Sequence, residues 1–284
     1  MKRPILNCSL NYVKHAMMPI AVFGLLSVAH TQFAYADDML QTVIDSPQRS
    51  AANKARDAAR HPKATLEFFG INPKMTVVEL IPGGGWYTEI LAPYLRPQGQ
   101  LIEALEDPQS NSEEARRDVA YLQKKLSGNP GLYDKVKTAV FEPPLKLKFA
   151  PENSVDMVLT FRNIHNWIGD GDENMKLLFK NIYSSLKPGG VFGVTDHRLP
   201  VGKVQDAQAS TGYVSETYVI KLAESVGFKL AAKSEINANP KDNADHKGGV
   251  WALPPTYTNK QVDRQKYTEI GESDRMTLKF VKPE

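Results

Sequence analysis

Val77-Val78-Glu79-Leu80-Ile81-Pro82-Gly83-Gly84-Gly85-Trp86-Tyr87-Thr88 carries an apolar, β-branched run into three glycines and straight out into helix-forming sequence. A turn of this kind lets a ligand approach the backbone more closely than any β-carbon permits. The helix start beyond it offers unpaired N–H groups to polar ligand atoms. The spacing argues against a dinucleotide site and excludes a phosphate-cradling P-loop. A dinucleotide fold asks for a third glycine where Thr88 stands, and no Gly-Lys-[Ser/Thr] follows to cradle a phosphate.

Outward from this stretch, helical and strand periods alternate. Upstream, Ser46-Pro47 predicts a helix opening toward His61 and ended by Pro62, and a short helix over 64–69 stops at Gly70. Thr76–Leu80 reads as the first strand and Thr88–Leu95 as a helix that Pro93 kinks or shortens. Gln100–Leu105 is a second strand, followed by a helix over 113–126 with acids first, lysines last and Gly128 beyond. Strands are expected over 136–140 and Val155–Phe161. Met175, Leu178, Phe179, Ile182, Tyr183 and Leu186 then keep the 3.6-residue period of a helix. Lys187-Pro188-Gly189-Gly190 breaks it before a fifth strand over 191–195. Ser215 caps one more helix, ended at Gly227, and strands over 228–236 and 276–281 complete the pattern.

This alternation predicts an α/β fold: a Rossmann-like, seven-stranded, mostly parallel sheet with helices on both faces and an antiparallel last strand beside 228–236. Ligands of such sheets sit beyond the carboxyl ends of the strands, so the loops after Leu80, Leu105, Phe161 and Thr195 should share one rim. Glu79, Glu106, Asn163 and Asp196 are expected there. The stretch 237–274 has little periodicity and is long for a connection, which suggests a lid or a segment docked on that rim.

The amino terminus reads as a signal. Lys2, Arg3 and Lys14 precede or flank an apolar run over 16–29, no acid occurs before Asp37, and Ala34-Tyr35-Ala36 supplies the small-x-small pattern. Residues 1–36 are therefore expected to be a signal peptide, leaving one domain over 37–284 in the periplasm or secreted. Three of the 35 basic residues and none of the 32 acidic ones lie before Asp37, so the remainder carries 32 of each. That balance gives no warrant for nucleic-acid binding. The only cysteine, Cys8, lies in the same segment, which excludes a thiol nucleophile, a cysteine metal ligand and a disulfide from the remainder. No membrane span is expected in the mature chain, and the sequence is silent on its oligomeric state.

The second strand ends in Glu103-Ala104-Leu105-Glu106-Asp107, with an acid where this topology holds ribose hydroxyls. Glu106 fits best, and Asp107 competes. The series Glu79…Gly83-Gly84-Gly85, Glu106, Asp156-Met157-Val158-Leu159 and Leu186-Lys187-Pro188-Gly189-Gly190 resembles class I S-adenosylmethionine-dependent methyltransferases over most of the chain. Arg56-Asp57, 161–167 and 250–255 are similar to an exported bacterial group of predicted methyltransferases. The resemblance implies S-adenosylmethionine as cofactor, with Glu79 near the methionine amino group, Gly83, Gly84 and Gly85 beneath the cofactor, and Glu106 on the ribose. One departure stands out. The family has glycine two residues after the first acid, where this chain has Ile81, so either the turn takes another conformation or the cofactor sits differently, because a β-branched residue resists positive φ.

For chemistry, Asn163 and His165 follow the fourth strand, where an acceptor would lie, and His165 is the candidate base. Asp196 and His197 could join His165 as metal ligands, although a polar loop is the preferred reading and no metal is expected. Trp86, Trp167 and Trp251 are candidates to wall the pocket. The function expected is methyl transfer from S-adenosylmethionine to a small-molecule or exported acceptor. The alternative is a non-catalytic periplasmic small-molecule-binding protein on the same fold.

Overall fold

The computed structural model describes Met1 and residues 39–284; the expected signal peptide and its cleavage point lie outside the described residues. Seven strands form one sheet: β1 (Thr76–Leu80), β2 (Gln100–Leu105), β3 (Lys137–Val140), β4 (Val155–Phe161), β5 (Leu186–His197), β6 (Lys229–Ser234) and β7 (Arg275–Val281). Their order is β3-β2-β1-β4-β5-β7-β6. β1 pairs in parallel with β2 and β4, β2 with β3, and β4 with β5. β7 runs antiparallel to both β5 and β6. The expected sheet is therefore present, with its antiparallel strand placed between β5 and β6.

Successive strand residues point to opposite faces, and here both faces are buried. Val78, Leu80, Val158 and Phe192 pack with Met175, Phe179 and Ile182 of the Asp172–Ser185 helix and Val219 of the Glu216–Ser225 helix. Val77, Met157 and Leu159 pack on the other side with Leu66 and Phe69 of the Pro62–Phe69 helix and Ile90 and Leu91 of the Thr88–Leu95 helix. The even and odd positions of β1 thus feed separate cores. Glu79 belongs to the second face, and so does its register partner Glu103 on β2.

Several local expectations change. The helix expected from Ser46 toward His61 is broken into Ala51–Lys54, capped by the Ser50 side chain, and Asp57–Arg60. His61 takes a left-handed φ of 42°, and Pro62 opens the next helix at its first turn rather than ending one. The fixed φ of proline suits that position, where an N–H would have no partner. The Thr88–Leu95 helix, by contrast, keeps its expected bounds, with Pro93 inside it. β5 starts at Leu186, with the pairing to β4 jumping from Val155↔Leu186 to Met157↔Val191 across the Lys-Pro-Gly-Gly turn. No described helix is long and apolar enough to cross a membrane.

Candidate active site

The carboxyl ends of β1, β2, β4 and β5 open into a cleft of about 1060 Å³, lined among others by Glu79, Gly83, Gly84, Glu106, Asn163 and His165. Its floor is the turn after β1. Against the first of the sequence-based alternatives, Ile81 does adopt a positive φ, 44°. The surroundings hold it there. Its N–H donates to Ala104 O at 2.8 Å, and its side chain packs on the core beneath the sheet. The Asn163 amide nitrogen donates to Leu80 O at 2.8 Å, Ile81 O at 3.3 Å and Thr160 Oγ1 at 3.2 Å. Asn163, expected as a catalytic residue, thus spends its amide N–H groups tying β4 to the end of β1, which is a positioning role.

The three glycines divide their work. Gly83 has φ 53°, and a β-carbon there would meet nothing within 4 Å, so its upper side is free for a ligand. Gly85, at φ 74°, is required by packing: a β-carbon would lie 2.8 Å from Leu122 Cδ1 of the Glu113–Gly128 helix. Gly84 faces Tyr121, with 3.7 Å to Cε1.

Beside the turn, Glu79 is buried and accepts a hydrogen bond from Thr88 Oγ1 at 3.3 Å. Burial pushes its carboxyl up to about 8, against the opposing pull of Thr88 and Glu103. Glu103 is fully buried and raised well above the usual carboxylate range, by burial first and then by Glu79. Two adjacent carboxyls in a dry site cannot both ionise readily, so the pair retains a proton at neutral pH. Sequence reading held Glu103 only as a fallback, with Asp107, for the ribose site, and missed its pairing with Glu79; the signal was present, since a parallel register that pairs β1 with β2 puts the two acids side by side. At the end of β2, Glu106 lines the cleft half-buried, and burial raises its carboxyl, aided by Asp118, Glu142 and Glu114. Its competitor Asp107 is engaged by Lys146 and by the Gln109 N–H at 2.6 Å.

At the opposite end, Asp196 organises the catalytic candidate. Its Oδ2 accepts from Ile164 N at 2.7 Å and its Oδ1 from His197 N at 2.7 Å, while His165 Nδ1 lies 2.9 Å from Oδ1. An ionised carboxylate only accepts, so His165 carries its proton on Nδ1 and leaves Nε2 as the basic nitrogen. His197 sits behind, its Nδ1 2.5 Å from Ser273 Oγ. Burial, then its neighbours His165, Arg162, Arg275 and Arg60, hold His197 well below the usual imidazole range. The possible ligand atoms of His165, Asp196 and His197 do lie within 4.8 Å of one another. Asp196, however, has both oxygens committed to N–H donors, which makes it an orienting group for the imidazole.

The tryptophans are at the cleft as expected, with different duties. Trp86 stacks under Arg49 and Arg60, whose guanidinium carbons are 5.1 and 4.9 Å from its ring centroid. Trp167 is buried against Phe141, and Trp251 meets His165 edge-on at 6.1 Å. Trp251 belongs to the 237–274 stretch, which is docked on the rim. Its anchor is the buried Asp242, which accepts from Tyr213 Oη at 2.9 Å, from Ala244 N at 2.9 Å and from Asp274 N at 2.8 Å, and holds His246 Nε2 at 2.8 Å. Sequence reading also gave no role to four arginines near His165, namely Arg56, Arg60, Arg162 and Arg275.

No family model matches the sequence, and no curated protein matches it either. Solved structures do. A SAM-dependent methyltransferase from Aquifex aeolicus is similar at 17% identity and TM-score 0.52, over 87% of this chain and 98% of that one. The [4+2]-cyclase SpnF is similar at 16% identity and TM-score 0.54, over 89% and 95%. Geranyl diphosphate methyltransferase, solved with SAM, follows at 10% identity and TM-score 0.53, over 85% and 94%. The chain thus has the Rossmann-like fold of the class I methyltransferases. A cyclase among these relatives is a reminder that the fold alone does not fix the chemistry.

Proposed function

We propose that this protein is an S-adenosylmethionine-dependent methyltransferase acting on a small molecule. One observation carries the reading: a single cleft joins the acids at the ends of β1 and β2, across an open glycine turn, to an oriented His–Asp pair at the ends of β4 and β5. The residues present suit the cofactor. Glu106 would accept from the ribose hydroxyls, the free side of Gly83 admits the cofactor against the backbone, and Glu79, kept close to Glu103 and Thr88, faces the methionine end. When bound, the cofactor supplies an electrophilic methyl group. The protein aligns the acceptor with it, and His165 Nε2 takes a proton from an acceptor that must lose one. Asp196 holds the ring in that tautomer, and Asn163 keeps the β1 turn in place.

Calorimetric titration of S-adenosylmethionine into the wild type, Glu106→Ala and His165→Ala tests this. Loss of charge-assisted hydrogen bonds, each worth about 1.5–3 kcal/mol, should weaken binding by Glu106→Ala roughly tenfold to hundredfold. His165→Ala should bind within about twofold of wild type and lose methyl transfer to any acceptor that needs deprotonation. A folded wild type that does not bind S-adenosylmethionine would overturn the proposal.

A further inference from the structure

The end of the cleft beside His165 is built from cations. Arg56, Arg60 and Arg162 line it, and Arg275 shares a small void with Arg60 and Arg162 just behind. A single carboxylate, Glu272, serves three of the four: it lies 2.7 Å from Arg56 Nε, 3.2 Å from Arg60 Nε and 3.0 Å from Arg275 Nη1. Arg162 has only a backbone hydrogen bond among the described residues, from its N–H to Thr195 O at 2.7 Å. Arg60 is 3% exposed, and its Nη2 is buried without a partner, as is Nη2 of Arg56.

Guanidinium groups do not discharge to relieve such crowding. Burial and then Arg162 depress the proton affinity of Arg60, and burial and then Arg275 and Arg56 depress that of Arg162. Glu272 answers in the opposite sense. Burial pushes it up, but Arg60, Arg275 and Arg56 outweigh that and hold it down to about 2. Four cations around Glu272, with Asp196 the next carboxylate acting on Arg162, still leave a positive surplus in a half-closed site, with free N–H donors. Planar guanidinium forks of this kind match carboxylate and phosphate oxygens.

We propose that the methyl acceptor carries a carboxylate or phosphate group, which seats on Arg56, Arg60 and Arg162 and brings the reacting atom to His165. The arginines lie on the His165 side of the cleft, away from the ribose end. Arg162 also acts on Glu79, however, and Arg60 stacks on Trp86 beside the glycine turn, so the cofactor's own carboxylate is the other source of such an anion, which the test separates. Arg162 follows β4 directly and Glu272 precedes β7, on the His165 side, whereas the ribose acid Glu106 lies at the far end among Asp118, Glu114 and Glu142. The two ends of the cleft thus have opposite charge. This inference rests on the methyl-transfer reading for what the anion belongs to, and not for the existence of the anion site.

The test uses inorganic phosphate titrated into the whole protein in a non-coordinating buffer, followed by tryptophan fluorescence, with S-adenosylhomocysteine titrated separately by calorimetry. Arg162→Gln is the informative variant, because a side chain without protein partners can be exchanged without loss of folding, which thermal unfolding verifies. Wild type should bind phosphate, Arg162→Gln should bind it about tenfold more weakly or worse, and Arg162→Lys should fall between. Affinity for S-adenosylhomocysteine should move by less than about twofold in both variants. No phosphate binding by wild type, or unchanged binding by Arg162→Gln, overturns the anion site. Parallel loss of S-adenosylhomocysteine assigns the arginines to the cofactor's own carboxylate and overturns the acceptor assignment. Arg162-dependent phosphate binding without any binding of S-adenosylmethionine upholds the anion site and sinks only the methyl-transfer reading.

Discussion

Ile81 and Arg162 both hold left-handed φ values, 44° and 64°, at the mouths of β1 and β4. Such a conformation costs a non-glycine residue about 1–3 kcal/mol, and it persists only where neighbours over-determine it. At Ile81 those neighbours are identifiable: Ala104 O, the Asn163 amide and the core under the side chain. The usual ranking of alanine over glycine should therefore invert. Ile81→Ala loses packing and keeps the strain, whereas Ile81→Gly loses the same packing and relieves it. Urea unfolding should find the glycine variant at least as stable as the alanine variant, by up to about 1 kcal/mol once glycine's own entropy cost is deducted. An alanine variant clearly more stable than the glycine one would mean that the turn relaxes to negative φ.

Among the elements, the Glu113–Gly128 helix fixes the cleft floor by leaning Leu122 on Gly85. This separates two neighbouring glycines in a way that experiment can read. Gly85→Ala should destabilise the fold by about 1–3 kcal/mol through overpacking, seen as a lowered Tm. Gly83→Ala meets no atom within 4 Å and carries only the left-handed penalty, so it should keep more stability and lose more cofactor affinity. Equal effects on both readouts would refute the division. The elements themselves were legible from sequence wherever the pattern was strong: β1, β2 and β4 fall where it put them, because strands buried on both faces read as short, mostly apolar runs. The segment before His61 was not, because Ser46-Pro47 looks like a helix start although the chain turns again at Ser50 and Arg56. At the site, Glu79 and Glu106 were legible as strand-end acids. The arginine cluster was not, since its members come from positions 56 to 275 and only β7's insertion brings them together.

For the whole molecule, buried charge makes stability depend on pH in two opposite ways. Glu79 and Glu103 bind protons more tightly folded than unfolded. Their contribution is present below the ordinary carboxylate value of 4.5 and is lost as pH rises above it, for Glu79 toward about 8. Glu272 is held down to about 2, so its contribution is present above 4.5 and is lost as pH falls through that window. Denaturant unfolding from pH 3 to pH 9 should thus show stability declining on the alkaline side, with Glu103→Gln flattening that limb. A limb unchanged in Glu103→Gln would refute the shared proton. The placement of β7 has a consequence for how the molecule comes into being. β6 joins the sheet only through β7, and Glu272 reaches the cleft, and Arg275 the void behind it, only when β7 is seated beside β5. A nascent polypeptide that has emerged only as far as residue 270 therefore presents an open edge along β5 and a half-made pocket. Vectorial synthesis cannot complete this sheet strand by strand, and the last step of its assembly is also the step that brings Glu272 to the arginines of the cleft.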